Sequence, residues 1–138
     1  MSESILQIRD LTVTFATPLG PLVAVRGVDL DVGAGELVAV VGESGSGKSV
    51  SFLAAMGLLP STATVQGSVM LDGVQLVGAS ARQMRSVRGR LLSMIFQDPL
   101  SALNPVHRIG AQISEMLRAH QKMSERAARA RAVELLEV

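Results

Sequence analysis

The chain has 138 residues, enough for one domain with a modest hydrophobic core. Apolar residues make up 48% and charged residues 18%, which indicates a globular protein and excludes an intrinsically disordered one. There is no cysteine, so disulfides, thiolate metal sites and cysteine nucleophiles are excluded for this sequence.

The net charge of +1 is unevenly distributed. Residues 1–81 carry a net charge of −4 and residues 82–138 a net charge of +5. A basic half can indicate nucleic-acid binding, but this one contains a single aromatic residue, Phe96, and therefore no platform on which bases could stack. We expect no nucleic-acid partner and interpret the arginines as a solvated helix face.

No charged residue occurs from Ser49 to Leu71, which raises the question of a membrane span. Pro60 and several polar residues interrupt this segment, and its longest apolar run has eight residues, too few to cross about 30 Å of hydrocarbon. The sequence therefore predicts a protein that is peripheral to a membrane at most.

Hydrophobic periodicity and turn residues predict the following elements in chain order. Strands are expected at 6–9, 11–15, 23–32, 37–41, 65–71, 75–77 and 91–96, and helices at 48–59, 80–88, 109–118 and from 124 onward. The runs at 37–41 (LVAVV) and 91–96 (LLSMIF) are wholly or mainly apolar, which is typical of strands buried on both faces. Asp72–Gly73 predicts a hairpin turn, and Ser124 is placed as an N-cap.

The last helix reaches Val138 without a stop signal such as Gly, Asn or Pro. We therefore expect the chain to be a portion of a longer protein.

The strongest motif lies between the predicted strand at 37–41 and the helix that follows. GESGSGKS fits the phosphate-binding pattern G-x-x-x-x-G-K-[ST], for which this composition predicts about 0.002 accidental matches. Glycines let successive backbone N–H groups point at phosphate oxygens, and the helix N-terminus favours the same anion. The candidate nucleotide-binding residues are Gly42, Glu43, Ser44, Gly45, Ser46, Gly47, Lys48 and Ser49.

Within this loop, Lys48 is predicted to contact the β- and γ-phosphates, and the Ser49 hydroxyl to ligate Mg²⁺. A guanine-nucleotide switch protein is excluded, because no Asp is followed by Gly at the third position and neither Lys lies in an N-K-x-D context. About forty residues of β-rich sequence precede the loop, which disfavours a small P-loop kinase without excluding it.

Two longer segments carry a family resemblance. VAVVGESGSGKSVSFLAAMGLLP and MIFQDPLSALNPVHRIGAQISEMLRAH resemble ABC transporter ATP-binding subunits, in the subgroup that imports oligopeptides, dipeptides and nickel. The resemblance implies an α/β fold: a partial P-loop NTPase core with an amino-terminal antiparallel β subdomain and the start of a helical subdomain. It implies boundaries of 1–35 for the β subdomain, 36–106 for the core with its Q-loop and 107–138 for the helical part.

The resemblance also assigns residue roles. Phe15 falls where the family places an aromatic ring against adenine, and Gln97 falls on the Q-loop glutamine, whose amide contacts Mg²⁺ and the attacking water. The implied ligands are ATP and Mg²⁺. The implied catalytic residue is Gln97, and the implied metal ligands are Ser49 and Gln97.

The implied partners are transmembrane permease subunits, a second identical or homologous ATP-binding subunit and, indirectly, a solute-binding protein. The implied location is the cytoplasmic face of a bacterial plasma membrane. The sequence lacks the family's signature motif, a strand ending in Asp-Glu and a switch histidine, so we expect these 138 residues alone not to hydrolyse ATP.

Two other interpretations of the residues remain open at this point. One is a complete small P-loop kinase that transfers a phosphoryl group to a small acceptor. The other is a non-enzymatic nucleotide-binding fragment.

Overall fold

The computed structural model describes residues 4–98 and 103–137, and the chain divides into two compact units between Ser86 and Val87. The subdomain boundaries expected at 35/36 and 106/107 stay predictions. The elements are β1 Ser4–Thr17, β2 Gly20–Gly33, α1 Lys48–Ala55, β3 Ala63–Leu71, β4 Val74–Gln75, α2 Ala81–Val87, α3 Ile109–His120 and α4 Glu125–Leu136.

The first unit is built on a four-stranded antiparallel sheet with the order β2-β1-β3-β4. β3 and β4 are joined by the two-residue turn Asp72–Gly73, whose φ angles are 48° and 77°. Two consecutive positive φ angles match the right-handed twist of the flanking strands, which explains the Asp-Gly pair. The predicted hairpin is confirmed.

β1 is one strand rather than the two expected at 6–9 and 11–15, and Asp10 forms a β-bulge within it. Ile8 and Leu11 are three residues apart, but their partners on β2 are only two residues apart. Arg9 and Thr12 are likewise three residues apart, and their partners on β3 are two apart. Asp10 itself has φ 46°. Because a bulge inserts one residue, Ile8 and Leu11 both face the core although their spacing is odd.

Side chains and a glycine accommodate this bulge. The backbone N–H of Asp10 donates to the Asp29 carboxylate (2.7 Å), so the bulged amide is satisfied. On β3, Gly67 lies against the bulge: a Cβ atom there would be 2.6 Å from the Arg9 carbonyl oxygen and closer still to that of Asp10. Arg9 is fixed by two hydrogen bonds to the Asp31 carboxylate (2.7 and 2.8 Å), which raise the pKa of its guanidinium.

The core of the first unit lies between the sheet and α1, which packs against β1 and β2. Alternate residues of the strands point into it, as period-2 patterning requires. Its strand residues include Ile8, Leu11, Val13, Val25, Val69 and Leu71, and α1 contributes Ala54 and Ala55.

The two runs predicted as buried strands are not strands within the described residues. Residues 37–41 are irregular, with Leu37 96% and Val41 92% exposed, and 91–96 contribute only an isolated bridge between Arg88 and Leu92. A strand buried on both faces needs hydrogen-bonded neighbours at its edges. Neither segment pairs with a strand of the described sheet, so neither has such neighbours.

The second unit contains α3 and α4, which pack against each other. The buried side chains of α4 are Ala128 and Ala132, whose small size and i, i+4 spacing allow close approach along one stripe. Ser124 caps α4 as predicted, since its hydroxyl accepts a hydrogen bond from the Ala127 N–H (3.3 Å). Across residues 4–98 and 103–137, no helix has the length and apolarity that a membrane crossing would require.

Gly67→Ala should lower the free energy of unfolding by about 3 kcal/mol, because the new Cβ clashes with two carbonyl oxygens at the bulge and φ is +93°. Gly78→Ala is the matched control: its φ is +78°, but no described atom lies within 4 Å of a Cβ added there, so about 1 kcal/mol is expected. Urea denaturation of both variants measures the difference. An equal loss of unfolding free energy in the two variants would show that the bulge shifts to accommodate the new Cβ, so that no clash remains.

Candidate nucleotide-binding site

The predicted phosphate loop leads directly into α1. Lys48 is the first residue of α1, and Gly47 is its N-cap with φ 89°, a left-handed conformation that favours glycine. Gly45 also has a positive φ, 81°, within the turn that precedes Gly47. Two of the three glycines in the motif are therefore required by backbone conformation.

Gly47 is also required by a close approach to the sheet. A Cβ at this position would lie 2.6 Å from the carbonyl oxygen of Ala24 and 3.2 Å from Cγ2 of Val25, both on β2. The end of the loop is thus pressed onto the strand, which fixes where α1 begins. The sequence did not predict that Ala24 supports the loop. The alternation of apolar and polar residues around Val25, which is buried, is the signal that could have placed this part of β2 against the core.

The ammonium group of Lys48 folds back into the loop. Nζ donates hydrogen bonds to the carbonyl oxygens of Gly42 (2.7 Å) and Glu43 (2.6 Å) and to Oγ of Ser46 (3.1 Å). These three acceptors use all the donors of an ammonium group. The charge is therefore held inside the turn of the loop, next to the backbone amides that begin α1.

The N-terminus of α1 has an uncompensated positive dipole. Gly47 provides no side-chain cap, and the first turn contains no acidic residue. The first N–H groups of a helix lack intrahelical partners, and the dipole there favours an anion. Lys48 supplies a positive charge, and the first N–H groups of α1 supply hydrogen-bond donors. Both features suit the binding of a polyphosphate.

A cavity of about 260 Å³ opens beside the loop. Ser46, Gly47 and Lys48 line one side, and Val40, Val41 and Phe52 are among its apolar lining residues. Asp29, the other charged residue in the lining, already accepts the hydrogen bond from the Asp10 amide. The cavity is thus lined by one positive and one negative side chain, and the carboxylate of the latter is already hydrogen-bonded.

The other predicted site residues occupy separate positions. Ser49 is exposed on the first turn of α1, as are Glu43 and Ser44 in the loop. Phe15 is half-buried on β1, paired with Leu22 of β2 and Ala63 of β3, and it is absent from the cavity lining. Gln97 is exposed and belongs to the second unit, so its role at the loop stays a prediction.

Comparisons with known proteins match this chain to one family model and to several relatives. The family model described as ABC transporter matches residues 25–137. The oligopeptide transport ATP-binding protein OppD of Mycobacterium tuberculosis is 50% identical over 97% of this chain and 22% of its own length. The Bacillus subtilis proteins OppD and DppD, the latter a dipeptide transport ATP-binding protein, are 46% and 45% identical over 97% of this chain and 38% and 41% of their own lengths.

The chain thus spans between about one fifth and two fifths of the length of these curated relatives. Among solved structures, the dimeric post-hydrolysis state of the ATP-binding cassette MJ0796, bound to ADP and Pi, aligns with a TM-score of 0.77. That alignment covers 96% of this chain and 56% of the other at 24% identity, so it supports the α/β fold alone.

If the loop binds ATP, Gly47→Ala should weaken that binding by about tenfold or more, because the contact with Ala24 and the positive φ together displace the amides at the start of α1. Gly45→Ala is the matched control, with φ +81° and no described atom within 4 Å of an added Cβ. Titration with a fluorescent ATP analogue compares the two. If both variants lose the same affinity, the contact with β2 does not position the loop.

Proposed function

Since this chain belongs to the ABC transporter family, we propose that it forms part of an ATP-binding subunit of an importer for oligopeptides, dipeptides or a similar small solute. The observation that carries the ATP-binding role is the lysine held inside the glycine loop at the start of α1. Family membership favours this function over a small kinase and over a non-enzymatic fragment.

The loop binds ATP by exchange of hydrogen-bond partners. Lys48 leaves the carbonyl oxygens of Gly42 and Glu43 for phosphate oxygens, to which an ammonium forms stronger, charge-assisted bonds. The amides at the start of α1, which lack a side-chain cap, donate to the same phosphates. Gly45 and Gly47 already have the positive φ angles of the loop, so the main change on binding is in the hydrogen-bond partners of Lys48.

Mg²⁺ and the adenine ring complete the proposed site. Ser49 follows Lys48 on the exposed first turn of α1, and its hydroxyl is an oxygen ligand of the kind that Mg²⁺ prefers. When bound, Mg²⁺ neutralises charge that develops on the phosphates. By the family resemblance, Gln97 would hold Mg²⁺ and the attacking water through its amide, and Phe15, whose ring is half-buried on β1, would offer an apolar face to adenine.

The proposed assembly follows from the family. ABC transporter subunits couple ATP turnover to a membrane pathway, so the proposed partners are transmembrane permease subunits, which this chain would meet at the cytoplasmic face of a bacterial plasma membrane. A second ATP-binding subunit completes the ATPase pair, and a solute-binding protein delivers the cargo to the permease. Nucleic acid is not among the proposed partners.

Lys48→Ala should raise the Kd for MgATP by about tenfold or more, because it removes the loop's cation and charge-assisted contacts are worth about 1.5–3 kcal/mol each. Lys122→Ala removes the only other lysine, an exposed residue of the second unit, and should leave the Kd unchanged. Isothermal titration calorimetry measures both. Equal affinity for wild type and Lys48→Ala would refute the site.

The 138-residue chain should bind ATP without Lys48-dependent turnover. Hydrolysis needs an oriented water and a carboxylate for Mg²⁺, and the carboxylate in the cavity lining, that of Asp29, is engaged by the Asp10 amide. A phosphate-release assay on the wild type and Lys48→Ala tests this. Steady turnover that Lys48→Ala abolishes would contradict the expectation and favour the small-kinase interpretation.

A further inference from the structure

A tight turn precedes α3 in the second unit. The His107 N–H donates to the Asn104 carbonyl oxygen (3.2 Å), and the Asn104 side-chain oxygen accepts from the Val106 N–H (3.0 Å). Pro105 fixes the backbone between these residues, and Asn followed by Pro is a favoured way to begin such a turn. The turn is nevertheless exposed, so water competes for its hydrogen bonds.

Gln112, on the first turns of α3, closes this turn from the helix side. Its Oε1 accepts from the Asn104 N–H (2.9 Å), and its Nε2 donates to the carbonyl oxygens of Asn104 (2.9 Å) and His107 (2.9 Å). One side-chain amide therefore satisfies three backbone groups of the turn. The pattern also fixes the orientation of the amide, since reversing it would place donor against donor.

We infer that Gln112 is a positioning residue that locks the turn Asn104–His107 onto α3. A free surface turn samples many shapes, and three bonds from one helical side chain restrict it to one. The turn carries Val106, 85% exposed, and is flanked by Leu103 and Ile109, 40% and 49% exposed. Gln112 thereby holds a small apolar surface in a fixed shape.

The consequence for activity rests on the proposed function. The turn lies seven residues beyond Gln97, and under the proposed function we assign a permease subunit as the partner that covers its exposed apolar surface. A surface that is ordered before docking loses less conformational entropy when a partner binds. Gln112 should therefore support coupling to the permease while leaving ATP binding unaffected, because its side chain bonds to the backbone of the turn and not to the glycine loop.

The test uses Gln112→Met, which keeps the side-chain length and helix propensity but removes all three hydrogen bonds. Gln121→Met, at the exposed residue after α3, is the matched control. Circular dichroism first verifies equal helix content. Backbone amide exchange at Asn104 should then be about tenfold faster in Gln112→Met than in the wild type or the control.

The second arm uses the full-length protein reconstituted with its permease subunits in vesicles. Gln112→Met should lower the permease-stimulated kcat about tenfold with an unchanged KM for ATP, whereas Gln121→Met should match the wild type. Unchanged exchange at Asn104, or an unchanged kcat, would overturn the inference. If Lys48→Ala leaves ATP affinity and stimulated turnover intact, the proposed function fails instead, and the exchange arm alone decides whether Gln112 locks the turn.

Discussion

The extra residue at Asp10 sets the register on which the first unit depends. Without the bulge, the odd spacing of Ile8 and Leu11 would send one of them to solvent, and every later residue of β1 would change face. With it, Leu11 faces the core, and a second register shift, which places an extra residue on β2 between Val28 and Val25, pairs Val13 with Val25, both of them buried. Val25 in turn lies against Gly47, so the position of the glycine loop depends on how β2 is paired with β1.

The proposed nucleotide site combines two different uses of glycine with one cation. Gly45 supplies a backbone angle, whereas Gly47 supplies both an angle and the space to touch β2. Lys48 satisfies its ammonium group with oxygens of its own loop, which stabilises the loop around a positive centre. In the proposed function, an anionic ligand replaces these oxygens while the glycines keep their backbone angles, which would make the phosphate site preorganised.

The second unit achieves local order by other means. Its helices meet through small side chains, and the turn before α3 is held by side-chain amides rather than by burial. Such hydrogen bonds are exposed and individually weak, so several must act together to hold one shape. Order at this surface therefore depends on one residue, Gln112, whose side chain bonds to three backbone groups at once.

The sequence by itself determined the features that a few neighbouring residues encode: the glycine loop followed by a helix, the Asp72–Gly73 turn, the Ser124 cap and the positions of the helices. It also determined the family, because GESGSGKS and FQDPLSALNP are contiguous motifs. Only the tertiary structure decided that β1 is continuous through Asp10, that 37–41 and 91–96 are not strands, and which oxygens Lys48 and Gln112 contact. The reason is that a strand exists only with hydrogen-bonded partners from elsewhere in the chain, whereas a cap, a turn or a glycine angle is satisfied locally.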